Sequence, residues 1–176
     1  ASVEDYLNVS RIEAGNMKYE MLDFNLKNEA EHVADDKRQE AMKKGLLITF
    51  KSDMDTHGIV NADIGKTKQI LHNLTNNAVK YTPRGIVTIF AHDDKKKKLM
   101  HIDIIDSGIG MKQDELESIF EKFERAHNAN ETNVTGTGLG LFVARKMARA
   151  MGGDVTAHTS GVGHGSTFRL TMPLQM

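Results

Sequence analysis

The sequence predicts an α/β (α+β) two-layer sandwich, a sheet of short strands covered by helices. Three observations carry this. Runs of β-branched and aromatic residues such as Ile86-Val87-Thr88-Ile89-Phe90 lie in pairs around turn signals. Segments with apolar residues at helical spacing fall between them. The chain, at 176 residues and with no internal repeat, has the size of one domain with one core. Elements that are apolar on one side must bury it against another layer, and helices on a sheet are one stable solution.

Each element has its own signal. Val3, Leu7 and Ile12 recur at roughly helical spacing, so residues 3–17 read as the end of a helix that stops at Gly15. A helix this short is marginal alone, which marks it as a piece of something longer. Residues 19–26 partly alternate and predict a strand. Residues 28–44 predict an amphipathic helix with Ala30, Val33, Ala34, Ala41 and Met42 toward the core and Gly45 as its end. Short strands are expected at 46–51 and 56–61, around an Asp-Met-Asp turn. Asp63 is placed to cap a helix over 64–80, and Thr82-Pro83-Arg84-Gly85 breaks the chain after it. Residues 86–92 and 99–105 predict a β-hairpin with Lys95-Lys96-Lys97-Lys98 as its solvated tip. A short helix over 113–123, a mobile polar loop over 124–137, a helix over 139–151 and strands over 154–159 and 167–172 complete the expectation.

Composition removes several classes of function. The net charge of −1 leaves no electrostatic footprint for nucleic acid or an anionic membrane. There is no cysteine, hence no disulfide framework and no thiolate chemistry. No apolar run approaches the ~20 residues needed to cross a bilayer. The eight histidines show no metal-ligand spacing.

Two glycine clusters suggest chemistry. Asp106-Ser107-Gly108-Ile109-Gly110 puts an acid at a strand end beside a turn that admits close backbone approach. Gly136-Thr137-Gly138-Leu139-Gly140-Leu141 runs into a helix and offers backbone N–H groups to anions. Asn73, Asn77, Lys80 and Tyr81 fall on one face of the 64–80 helix and its end, with Ile70, Leu71, Leu74 and Ala78 forming an apolar stripe. An amide oxygen suits Mg²⁺, and a lysine suits phosphate.

The order of these blocks resembles the ATP-binding catalytic domain of bacterial sensor histidine kinases. An Asn-rich helix, Asp-x-Gly-x-Gly, Phe120-Glu121-Lys122-Phe123, Gly-x-Gly-x-Gly and Gly165-Ser166-Thr167-Phe168 occur in sequence, as do the N, G1, F, G2 and G3 boxes of that family. The match runs from about Phe24 to Leu174. It implies a Bergerat ATP-binding fold, a mixed sheet covered by helices on one face, with ATP and Mg²⁺ as ligands. Residues 1–17 resemble the end of the second dimerisation helix and its linker, and 18–176 the catalytic domain.

The resemblance assigns roles residue by residue. Asp106 would accept from the adenine amine, and Gly108 and Gly110 would turn the backbone beside the base. Asn77 would coordinate Mg²⁺, Asn73 would line the phosphate path, and Lys80 would contact phosphate. Tyr81 would pack near the nucleotide. Gly136, Thr137, Gly138, Leu139, Gly140 and Leu141 would serve the phosphates. Phe120 and Phe123 would anchor a lid, Arg125 would approach the γ-phosphate, and Thr167 would lie near the adenine.

The family's phosphoacceptor motif, His-Glu/Asp-x-x-Thr/Asn-Pro, is absent, and His92-Asp93 is the sole His-acid pair. The resemblance therefore implies transfer of the γ-phosphate to a histidine-containing dimerisation domain outside this chain, with a response-regulator receiver domain as the onward partner. A cytoplasmic, monomeric fragment making no membrane contact is expected. Related ATPases carry a glutamate base where this chain has Asn73, and an amide cannot take a proton from water. A nucleotide-responsive binding module and an anti-sigma-type serine kinase are the competing readings.

Overall fold

Helix caps and paired strands set the frame. The computed structural model describes residues 3–121 and 138–175. In chain order these form α1 (Val3–Glu13), β1 (Leu22–Asn25), α2 (Leu26–Lys43), β2 (Leu46–Asp53), β3 (Ile59–Ala62), α3 (Ile64–Lys80), β4 (Gly85–Asp94) and β5 (Leu99–Asp106). Two 3-10 turns (Gln113–Glu115 and Ser118–Phe120), α4 (Gly140–Ala150), β6 (Asp154–Thr159) and β7 (Ser166–Pro173) follow. The Asn25 side chain accepts from Asn28 N at 3.0 Å and starts α2, while Asp63 accepts from Lys66 N at 2.9 Å and starts α3.

The main sheet has five strands in the order β2-β4-β5-β7-β6. β2 and β4 are parallel, and the other pairs are antiparallel, so the sheet is mixed. The parallel pair needs a long crossover, which α3 supplies. β1 and β3 form a separate two-stranded sheet. Helices α2, α3 and α4 pack on one face of the main sheet. Alternate residues of its central strands meet them: Val87, Ile89 and Ala91 of β4, Ile102 and Ile104 of β5, and Phe168 and Leu170 of β7 are all buried. α1 lays Asn8 and Val9 inward and contacts α4.

The structure departs from the sequence expectation in three places. Met42 is 63% exposed, because Ala41 fills the core position and the next residue rotates out to water. The strands expected around Asp53-Met54-Asp55 belong to different sheets, β2 pairing with β4 and β3 with β1. The helix expected over 113–123 is replaced by the two 3-10 turns. There Ser118 Oγ donates to the Glu115 carbonyl at 3.1 Å, a local bond that competes with an α-helical ladder, and Ile119 and Phe120 plug the core. The expected loop over 124–137 lies outside the described residues.

The opposite sheet face carries an ionic ladder. Arg169 donates from Nε to Asp103 Oδ1 at 2.7 Å and from Nη2 to Oδ2 at 3.0 Å, and His92 Nε2 meets Oδ2 at 2.8 Å. Burial alone would raise the Asp103 pKa, but these partners outweigh it and hold the carboxyl below its usual range. Burial, then Arg169 and His92, hold the His101 imidazole below its usual value. Both depressed groups add stability above their unfolded pKa values and lose it as pH falls through the folded ones. Urea unfolding should show stability declining from neutrality downward, first with His101 and then with Asp103. Asp103→Asn should cost about 2–3 kcal/mol at pH 7 and flatten the part of the decline below pH ~4.

Candidate nucleotide site

Asp106 is the last residue of β5, opposite Val87 on β4 and Ser166 on β7. It is 6% exposed, and its Oδ1 accepts from Gly108 N at 2.9 Å and Ser166 N at 3.3 Å. Burial pushes its pKa up to about 6, against the pull of these amides and of the Thr82 hydroxyl.

The turn after Asp106 is gripped from two sides. Ile109 N donates to the Tyr81 carbonyl at 3.0 Å, at the end of α3. From the 160–165 loop, Gly163 N donates to the Ile109 carbonyl at 2.6 Å and Gly165 N to the Gly108 carbonyl at 3.2 Å. A Cβ on Gly108 would stand 2.2 Å from Tyr81 O, and one on Gly110, whose φ is +63°, would stand 2.3 Å from Gly161 O. These glycines are therefore demanded by protein neighbours, whatever they also do for a ligand.

α3 presents Asn73, Asn77 and Tyr81 half-buried and Lys80 exposed, with Ile70, Leu71, Leu74 and Ala78 fully buried. Asn73 Nδ2 donates to the Gly140 carbonyl at 3.3 Å, which sets the first residue of α4 beside Asn73. Lys80 lines a groove between α2 and α3 with Lys37, Glu40, Lys44 and Asn76. Gly138 has φ +72°, and Leu139, buried, is the N-cap of α4 without a side-chain capping bond. The positive end of the α4 dipole thus lies beside Asn73. Leu141 is half-buried.

Phe120 is buried, edge-on to Phe168 with ring centroids 6.2 Å apart. The Arg145 guanidinium sits 4.1 Å above its ring. Arg145 also donates to Glu117 Oε2 at 2.7 Å and Oε1 at 3.2 Å, and from Nε to the Val155 carbonyl at 3.1 Å. It ties the segment ahead of residue 122 to α4 and β6. Sequence reasoning passed over Arg145; the available signal was a cation among Val143, Ala144, Met147 and Ala148 on the buried face of α4.

Thr167 is half-buried and pairs with Ile105, so strand alternation turns it to the face away from Asp106. Ser166 takes the position beside the carboxylate instead. Ser166 and Thr82 were not singled out in sequence, because one acts through its backbone amide and the other lies in a segment legible only as a chain break. Phe123, Arg125, Gly136 and Thr137 lie outside the described residues. Among the described residues, no cluster of three or more histidine or carboxylate side chains could hold a metal ion alone. Asn77 offers a single amide oxygen, a donor set that fits Mg²⁺ carried in largely by waters and phosphate oxygens.

A buried acid at a strand end, held beside the end of an Asn-bearing helix whose middle meets a glycine-opened helix N-terminus, fits a nucleotide-binding α/β sandwich. Residues 62–176 match the model for the histidine kinase-, DNA gyrase B- and HSP90-like ATPases, and the chain belongs to that family. Among curated relatives, it is 35% identical over 97% of its length to hybrid signal transduction histidine kinase B of Dictyostelium discoideum, covering 9% of that protein. It is 41% identical over 76% of its length to the aerobic respiration control sensor protein ArcB of Escherichia coli K12, covering 17% of it. The structure of full-length ShkA in complex with AMPPNP superposes with a TM-score of 0.83 at 28% identity, covering 97% of this chain and 35% of that one. The catalytic domain of histidine kinase ThkA gives 0.72 at 26% identity, covering 88% and 97%. The mixed sheet with helices on one face is the fold that the resemblance implied.

The glycines separate into two kinds by their neighbours. Gly108→Ala should destabilise the fold by about 2 kcal/mol or more, because backbone atoms of Tyr81 cannot yield as a side-chain tip can. Gly140→Ala should leave stability unchanged or raise it by up to ~1 kcal/mol, because an added Cβ would meet only Asn73 Cγ at 3.9 Å and alanine favours helix. Urea denaturation of both variants checks the contrast.

Proposed function

We propose that this chain is the Mg-ATP-binding catalytic domain of a sensor histidine kinase and delivers the γ-phosphate to a histidine on a separate dimerisation domain. The buried Asp106 carboxylate carries the reading. An ionised carboxylate only accepts hydrogen bonds, so it selects a base that presents an amine and rejects one that presents a carbonyl there. ATP satisfies this, and guanine nucleotides do not. The family match and the likeness to a kinase solved with AMPPNP support ATP as the ligand. Assignment to histidine transfer rests on relatives named as histidine kinases, of whose length the chain spans 9% to 21%.

In this reading Asn77 would hold Mg²⁺, which would supply charge neutralisation to the phosphates when bound. Asn73 and the α4 N-terminus flank the phosphates, and Lys80 swings from its groove to meet them. Tyr81 packs near the nucleotide, while Thr137, Gly136 and Arg125 serve the phosphate end. The attacking imidazole nitrogen forms a bond to the γ-phosphorus as the bond to the bridging oxygen breaks and ADP leaves. Phosphoryl transfer of this kind depends chiefly on positioning and charge neutralisation. Water activation has no base at Asn73, which favours transfer over hydrolysis. Residues 1–17 are read as the end of the second dimerisation helix and linker. The outer side of α1 fits a continuing helical partner, since Val3, Tyr6 and Leu7 are 76%, 53% and 44% exposed. A response-regulator receiver domain is the onward acceptor, and the domain works in the cytoplasm.

Asp106→Asn should weaken ATP binding by about 10- to 100-fold in titration calorimetry, the worth of one charge-assisted hydrogen bond. Unchanged affinity would remove the base from this pocket. Asn77→Ala should weaken binding only when Mg²⁺ is present. Labelled phosphate from ATP should appear on a cognate dimerisation domain added in trans, and the product should be acid-labile; an acid-stable phosphoserine would point to a serine kinase.

A further inference from the structure

Thr82 follows the end of α3 and is 1% exposed. Its Oγ1 is fully buried and has no hydrogen-bond partner of acceptable geometry among the described residues. Threonine hydroxyls left in this state are costly, and the side chain has no packing duty that valine would not fulfil. The hydroxyl sits on the seam of the nucleotide site. A Cβ on Gly108 would stand 2.7 Å from Oγ1, and the hydroxyl is close enough to the Asp106 carboxylate to draw its pKa down. Both backbone amides that hold Asp106 land on Oδ1, so Oδ2 accepts from neither.

We propose that Thr82 is a positioning residue for the base-reading carboxylate: its hydroxyl turns to donate to Asp106 Oδ2, in the free protein and with nucleotide bound, and holds that oxygen, charged, against the adenine amine. A carboxylate oxygen has lone pairs for both donors. The inference rests on the reading of Asp106 as the adenine acceptor. Its consequence is a lower pH limit for recognition of the amine. Protonated Asp106 is a poor acceptor, so affinity that depends on the amine falls as pH drops through the carboxyl pKa, about 6 in the free protein. Removing the donor raises that pKa and moves the limit upward. Charged neighbours do not confuse this limb. The Asp106 shift arises from burial, opposed by the Gly108 and Ser166 amides and the Thr82 hydroxyl, with no charged side chain among its causes, although Lys80, Arg84, Asp103 and His164 lie on the segments packed around it.

The test measures affinity for ATP and for the purine triphosphate lacking the 6-amino group from pH 5 to 8, in the unaltered chain, Thr82→Val and Thr82→Ser. The ratio of the two affinities cancels titration of the phosphates. In the unaltered chain the ratio should fall about tenfold per pH unit below about 6. Thr82→Val should move the midpoint up by about one pH unit, with the two proteins agreeing at pH 8. Thr82→Ser should restore the original midpoint. A cooperative thermal transition of ligand-free Thr82→Val shows that the fold is kept; if valine prevents folding, Thr82→Ala takes its place. A ratio independent of pH in the unaltered chain overturns the placement of the base at Asp106 and this inference with it. A normal limb that Thr82→Val leaves in place overturns this inference alone.

Discussion

The Asp106 carboxylate is buried where β5 ends, and only the convergence of three segments makes that burial tolerable. Water would solvate the group far better than this pocket does, which is why its pKa rises to about 6. The Gly108 amide comes from its own turn and the Ser166 amide from the start of β7, both hydrogen-bonded to Oδ1, while the Thr82 hydroxyl at the end of α3 lies close enough to lower the pKa. Each of these positions depends on something larger. Ser166 is opposite Asp106 only because β5 and β7 pair in that register. The Tyr81 carbonyl, one residue before Thr82, accepts from Ile109 N at 3.0 Å and ties the end of α3 to the Asp106 turn. One carboxylate thus constrains strand register, helix end and loop together, and a slip in any of them would leave a buried charge unpaired.

The two faces of the sheet divide the labour. The helix-covered face is apolar along β4, β5 and β7 and ends in Asp106. The open face carries Asp103, Arg169 and His92, whose ionic contacts stabilise the same strands without entering the core. Phe120 joins the layers at the far edge. It packs on Phe168 of β7 beneath Arg145 of α4, so the chain entering residue 122 is fixed to the frame before it leaves the described region.

Most of the frame was legible because its signals are local. Asp63 caps α3 where a helix start was expected, and β4 and β5 form the expected hairpin. The motifs of the site were legible for the same reason, since Asp106 and its glycines sit within five residues. What was missed depends on partners far along the chain. Nothing local says that β2 pairs with β4 while β3 pairs with β1, because local pattern does not choose between strand partners. Thr167 was expected near the base; register turns it to the face away from Asp106 and puts the amide of Ser166 beside the carboxylate, which no side-chain motif can report. Arg145 looked like a surface cation on a helix. Its burial follows from three acceptor atoms and a ring contributed by two other segments, the turn over 117–120 and β6.

α3 adds a rigid element that both ends of the site share. From Asn73, which donates to the first residue of α4, to Tyr81, which anchors the Asp106 turn, is eight residues, or about 12 Å of helix rise. In the proposed reading, a ligand held at its base by Asp106 and at its phosphates by the α4 N-terminus would lie along this one helix, which would set the distance between the two grips. Fully buried Ile70, Leu71, Leu74 and Ala78 prevent α3 from sliding, because a shift of one residue would rotate the apolar stripe by 100° out of the core. In that reading, selectivity at the base and positioning at the phosphates would be coupled through packing that touches neither. A cavity opened at Leu74 should disturb both ends of the site at once, whereas a change at Asp106 alone should spare the phosphate end.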